Sequence, residues 1–126
     1  MTKISVIIPV LNEAETISDL INHLLHNSLK KNIAEIIVVD GGSTDGSQEK
    51  VSKFNDIAIF SSEKGRSNQM NLGAKHANGD ILYFLHADSF PPKHFDNFII
   101  NEVEKGNQAG CFKMKFDSDH WWLKLA

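Results

Sequence analysis

An α/β domain built on a largely parallel sheet is the fold class this sequence predicts, and three observations carry the prediction. Short apolar runs rich in β-branched residues alternate with segments whose apolar residues recur at helical spacing. Gly, Pro, Asn and Asp punctuate the junctions between them. Three of the apolar runs end in polar signatures, "PVLNE", "VVDGGSTDGS" and "FLHADS", and in parallel sheets ligands bind outside the carboxyl ends of the strands.

The elements follow in order. "KISVIIP" at 3–9 suits a strand buried on both faces. Asn12 followed by Glu15 resembles a capping box and predicts that a helix opens there. Ile17, Leu20, Ile21, Leu24 and Leu25 form its buried stripe. A strand at 35–40, a turn at 41–47, a short helix near 46–54 and a strand at 57–61 come next. A helix over 66–77 follows, closed by Gly79 as a left-handed residue past its end. Within it Gly73 is expected to permit close packing on the sheet. "ILYFLH" at 81–86 is the fourth buried strand. Pro91 and Pro92 sit where a helix can start, with Phe95, Phe98, Ile99 and Val103 as its apolar face. "GCFKMKF" at 110–116 alternates apolar and charged residues, as a half-exposed edge or antiparallel strand does.

A chain of 126 residues, 41% of them hydrophobic, supports one domain over 1–126. The net charge of -3 disfavours nucleic acid as a partner, because such a partner needs a basic face. A single cysteine, Cys111, leaves no intrachain disulfide framework. The apolar core of "MTKISVIIPVLNE" is too short for a signal peptide or a membrane span, so a cytoplasmic location is expected. The closing "DSDHWWLKLA" ends on an apolar run with no polar tail, which suggests a chain that naturally continues. Trp121 and Trp122 are candidates for packing on a missing part, for a homodimer contact, or for contact with an acceptor or, peripherally, a membrane.

The chemistry lies at the strand ends. The first turn has no glycine, so it lacks the Gly-x-Gly-x-x-Gly that dinucleotide folds use to cradle pyrophosphate, and Glu13 would repel such a group. A nucleobase or ribose edge fits better, met by the carbonyls of Pro9 and Val10 and by the amide of Asn12; alternatively Asn12 and Glu13 merely cap the helix. Asp40 is placed to accept from a ribose hydroxyl or a base N–H. Asp45 can cap the next helix. An arginine at a helix start opposes the macrodipole, which makes Arg66 a pointer to a bound anion or base. Asp88, just past a buried strand, can hold Mg2+ or Mn2+ while a diphosphate and water complete the shell. His86 could share that side, or be a hydrogen-bonded histidine with Asp88 capping the next helix. His23 and His26 share a helix face but have no further zinc ligands.

Together these residues resemble the family 2 glycosyltransferases, through "ISVIIPVLNEAETI", "EIIVVDGGSTDGS" and "NQMNLGAKHANGDILYFLHADS", in that order over nearly the whole chain. "GRSNQMNLGA" with "GDILYFLHAD" looks most like the bacterial family 2-like proteins, some of them associated with radical-SAM or selenodomain proteins. The resemblance implies a GT-A fold, a mostly parallel central sheet with flanking helices. It implies an inverting transfer of sugar from a nucleotide-diphosphate donor, UDP-linked in our reading, with Mn2+ or Mg2+, to an acceptor that is a saccharide, a lipid or a small molecule. Pro9, Val10, Asn12 and Glu13 would line the nucleoside pocket, Asp40 and Gly41 would meet base or ribose, and Arg66 would approach the nucleotide. Asp88 matches the last acid of the Asp-x-Asp metal motif.

Departures are visible too. Gly41 stands where a second acid often follows, removing one contact. Met70 replaces the usual arginine, and Arg66, one helical turn earlier, can substitute. His86 replaces the first acid of the metal motif. The general base comes from a segment after "CFKMKF" that the chain lacks, so the catalytic residue is unknown and the acceptor half is expected to be missing. A non-catalytic nucleotide-sugar-binding or regulatory module is the alternative reading.

Overall fold

The computed structural model describes residues 2–105 together with the backbone of 111–112 and 121–125. Four parallel strands form its centre: β1 (Ile4–Val10), β2 (Ile33–Asp40), β3 (Ile57–Ser61) and β4 (Ile81–Leu85). Two short strands, β5 (Cys111–Phe112) and β6 (Trp121–Leu125), extend the sheet in the order β3-β2-β1-β4-β6-β5. β6 runs antiparallel to β4, and β5 antiparallel to β6. The closing apolar run is therefore a strand paired with β4. Of the strand expected at 110–116, Cys111–Phe112 is observed, and 110 and 113–116 lie outside the described residues.

The helices are α1 (Ile17–His26), α2 (Ser47–Ser52), α3 (Arg66–His76) and α4 (Phe95–Glu104), with a single 3-10 turn at Lys30–Asn32. Alternation along β1 sorts the two layers, because successive side chains of a strand point to opposite faces. Ile4, Val6, Ile8 and Val10 join Ile17, Leu20, Ile21 and Leu24 of α1 and Phe95, Ile99 and Val103 of α4. Each such fully buried side chain contributes about 2 kcal/mol of transfer free energy. On the other face Ile7, Val39 and Phe84 meet Met70, Leu72 and Ala74 of α3. Gly73 permits this contact: a β-carbon there would stand 2.5 Å from Ile7 Cγ2.

Several helix ends differ from expectation. α1 begins at Ile17 rather than near Asn12, and the capping box with Glu15 is not formed. Gly79 is not in the left-handed region; it is glycine because a β-carbon would lie 2.6 Å from Ser5 Oγ and 2.8 Å from Ser5 N. α4 starts at Phe95, three residues past Pro92 and directly after His94 at φ 65°, and not at the prolines themselves. Its first turn carries buried Asp96, whose Oδ2 accepts from Leu29 N and Asn32 Nδ2, both at 2.8 Å.

Candidate functional site

The carboxyl ends of β2, β1 and β4 share one edge of the sheet. Val10 stands in register with Asp40, and Ile7 with Phe84. β1 separates β2 from β4, so the end of β2 at Asp40 and the end of β4, three residues before Asp88, lie on the same rim, two strand spacings or roughly 10 Å apart.

The first turn is clamped to the second. Asn12 N donates to Ser43 Oγ (2.8 Å), Glu13 N to Ser47 Oγ (2.9 Å) and Ala14 N to Asp45 Oδ2 (3.0 Å). Asn12, at φ 55°, accepts from Thr44 N through Oδ1 at 2.9 Å. Asparagine tolerates that left-handed conformation better than most residues. The Asn12 amide expected to meet a nucleoside thus serves the loop, and so does the side chain expected to cap α1. Helix α1 is instead entered through the Glu13 carbonyl, which accepts from Thr16 N and Ile17 N. Asp45 accepts from Ser47 N and Ser47 Oγ at the start of α2, but the N-cap position itself is Gly46 and carries no side-chain cap, so Asp45 braces the turn before the helix instead of capping it. These bonds, the Ser47 hydroxyl first and the Ala14 amide next, hold its carboxyl below the ordinary range.

Asp40 is fully buried and organises the second loop. Its Oδ2 accepts from Gly42 N (2.9 Å), Ser43 N (2.8 Å) and Gln48 Nε2 (2.7 Å), and its Oδ1 from Ser43 Oγ. Burial pushes the carboxyl up, but the bonds from Ser43, Gln48 and the two amides outweigh it and leave Asp40 lowered. Fully buried, this carboxylate presents no exposed face to a base or ribose group.

Between the ends of β1 and β4 and the start of α3 lies an open cleft of about 500 Å3. It gathers six of the nine expected residues, Pro9, Val10, Glu13, Arg66, His86 and Asp88. Asn12, Asp40 and Gly41 do not line it. The Val10 carbonyl is already engaged twice, by Gly41 N and by Gln69 Nε2, each at 2.9 Å, so it offers nothing to a nucleoside. Gly41 lies beneath Gln69: a β-carbon on it would stand 2.9 Å from Gln69 Cδ.

Arg66 is the first residue of α3, after Gly65 at φ 133°, a conformation that favours glycine. Its Nη2 lies 3.2 Å from His86 Nδ1. A guanidinium only donates, so Nδ1 accepts and the ring proton sits on Nε2. His86 therefore braces Arg66 at the cleft rather than lending Nδ1 to a cation. Asp88 is exposed beside them and makes no hydrogen bond or ion pair among the described residues. It does not cap α4, which begins seven residues later. No group of three or more His, Cys, Asp or Glu among the described residues could hold a metal. One free carboxylate at an open cleft suits Mg2+ or Mn2+ whose other ligands are phosphate and water oxygens.

Two polar side chains of the cleft escaped the sequence reading. Lys64 adds a second cation beside Arg66. Gln69, 5% exposed, donates from Nε2 to the carbonyls of Val10 and Val39 at 2.9 Å each. It lies four residues before Gly73 and so on the same sheet-facing side of α3, the one signal that could have revealed it. The histidines stay unremarkable: His23 Nε2 contacts the Pro91 carbonyl, and His26 Nδ1 the Asn22 carbonyl.

Comparison with known proteins adds to this geometry. The family model described as Glycosyl transferase family 2 matches residues 5–125. The chain is similar to Glycosyltransferase AglE of Haloferax volcanii, 37% identical over 94 residues that cover 70% of this chain and 31% of that protein. It is similar in structure to the mannosyltransferase PcManGT from Pyrobaculum calidifontis in complex with GDP-Man and Mn2+, with a TM-score of 0.77 at 20% identity over 98% of this chain and 44% of that one. A third likeness is to glucosyl-3-phosphoglycerate synthase from Mycobacterium tuberculosis with Mn2+, UDP and glucosyl-3-phosphoglycerate, with a TM-score of 0.72 at 25% identity over 89% of this chain and 43% of that one. The expected GT-A architecture is the observed one. The chain spans about a third of the length of the curated relatives it matches.

Proposed function

The chain belongs to glycosyl transferase family 2, and from that premise we propose that it is the donor-binding part of an inverting glycosyltransferase that uses a UDP-linked sugar. The observation that carries the reading is the cleft at the carboxyl edge, where Lys64, Arg66 and the unengaged carboxylate of Asp88 stand together. In this reading the diphosphate lies against Arg66 and Lys64, the guanidinium held in place by His86 Nδ1. Asp88 would hold Mn2+ or Mg2+ together with the donor's diphosphate. When bound, that cation offsets the charge of the diphosphate leaving group, which is Lewis-acid chemistry. Pro9, Val10 and Leu11 supply the wall on which the nucleoside rests, and Asp40 and Asn12 act behind it, fixing the loops rather than touching the donor.

The general base and the acceptor half fall outside this chain, a reading supported by the share of its relatives' length that it spans. Within the family we group it with the radical-SAM or selenodomain-associated proteins, on "GRSNQMNLGA" and "GDILYFLHAD". Its acceptor is a saccharide, a lipid or a small molecule, and Trp121 and Trp122 stand as candidates for a dimer or membrane contact. Among the described residues no helix is long and apolar enough to cross a membrane. A cytoplasmic setting, suited to the lone Cys111, belongs to the same reading. Release of UDP from UDP-sugars, followed with and without Mn2+, tests the proposal. Metal-stimulated release supports it; donor binding that never leads to release, in this chain or a longer one, favours the non-catalytic module.

A further inference from the structure

We propose that Gln69 selects the donor's base, its side-chain oxygen accepting a hydrogen bond from an imide N–H; this rests on the donor-site reading above and deepens it. The oxygen is identified by its neighbours. Gln69 Nε2 faces two main-chain acceptors, the carbonyls of Val10 and Val39, each at 2.9 Å. Only an NH2 group satisfies both, so a flipped amide would set an oxygen against two oxygens. The amide lies flat on Gly41, with Cδ, Oε1 and Nε2 at 2.9, 3.0 and 3.1 Å from where a β-carbon would be. Two carbonyls from adjacent strands and one side-chain-free residue thus hold it from three directions.

What remains is Oε1. Gln69 is only 5% exposed, yet it lines the cleft. Its Oε1 is absent from the buried oxygens left without a partner, and it accepts no hydrogen bond among the described residues, so it retains access to solvent, and the cleft is the open space that Gln69 lines. A fixed, nearly desolvated acceptor in a ligand cleft selects a donor, because an opposing acceptor leaves both groups unpaired. Asp40, the residue first expected to read the base, has its carboxylate enclosed by its own loop. Uracil presents an imide N3–H and guanine an N1–H, whereas the matching ring nitrogens of cytosine and adenine accept.

The test is a calorimetric titration of UDP, GDP, CDP and ADP at fixed Mn2+, so that diphosphate and metal are common to all four. The expected result is that UDP or GDP binds about tenfold tighter than CDP and ADP, the pair of arms showing which imide base is used. In Gln69→Met, which keeps the side-chain length, the preference falls to within about twofold. Because that variant also strips Val10 and Val39 of their donor, a second arm leaves the protein unaltered: the ring-nitrogen-methylated form of the preferred nucleotide should bind about tenfold more weakly than its parent. A preference that survives Gln69→Met, as it would if Oε1 met a ribose hydroxyl, overturns the assignment. So does an absence of base preference, or a methylated nucleotide that binds as well as its parent. If none of the four diphosphates binds, the donor-site reading falls with it; if all bind alike, only the role of Gln69 falls.

Discussion

Replacing Gly73 with alanine sets two effects of opposite sign against each other. On an open helix Gly→Ala is stabilising by about 1 kcal/mol, since glycine is the poorer helix former. In α3 the new methyl would lie 2.5 Å from Ile7 Cγ2 and 3.2 Å from Val39 Cγ2. The first distance is about 1 Å inside ordinary carbon–carbon contact. Ile7 is fully buried in β1, and its β-branched side chain has few rotamers to retreat into, so α3 must lift from the sheet. Overpacking of this kind costs about 1–3 kcal/mol. With contact this close the upper part of the range applies, and the helix gain leaves a net loss of roughly 1–2 kcal/mol. For 126 residues the unfolding entropy is about 0.26 kcal/mol/K, so Tm should drop by about 4–8 °C. Arg66 and Gln69 ride on the same helix, so nucleotide affinity should weaken with it. Thermal unfolding followed by circular dichroism reads the first effect. An unchanged or raised Tm for Gly73→Ala would refute the packing of α3 described here.

Two further predictions concern the loops. Asp40 is lowered in the folded state, so its contribution is present above the unfolded-state pKa of ~4 and is lost as pH falls through the folded value. Asp40→Asn should therefore cost about 2 kcal/mol at pH 7, with the gap to native narrowing below pH ~4; denaturant midpoints that keep a constant gap across that range would contradict it. Arg66→Ala should weaken UDP about tenfold while changing uridine by less than about twofold, and His86→Ala should give a smaller loss in the same direction because the guanidinium remains without its brace. Equal losses for UDP and uridine would place Arg66 at the base instead.

Local patterns read well from the sequence, and non-local partnerships did not. β3 occupies 57–61 as expected and α3 begins at Arg66, because alternating apolar runs and helical spacing are local signals. β6 was missed: an apolar run is a strand only by virtue of its partner, here β4 some forty residues earlier in the chain. Asn12 and Glu15 carry the letters of a capping box, yet the partners of Asn12 are Ser43 and Thr44, which no local pattern links to it. Gly79 is explained by Ser5, at the far end of the sequence. That Pro9, Glu13, Arg66, His86 and Asp88 share one cleft was legible because strand ends in parallel sheets collect at one edge. That Asp40 is enclosed by its own loop was not legible, since a buried carboxylate with four internal donors looks the same in sequence as an open one. Gln69 stayed hidden because a glutamine in a helix ordinarily faces water.

The most direct test of the donor site is the affinity for UDP, measured by calorimetry with and without Mn2+ on the native chain and on Asp88→Asn. The account predicts that Mn2+ tightens UDP binding to the native chain by about tenfold or more, and that Asp88→Asn abolishes this gain while leaving metal-free affinity within about twofold. A Mn2+ dependence that persists unchanged in Asp88→Asn would contradict it.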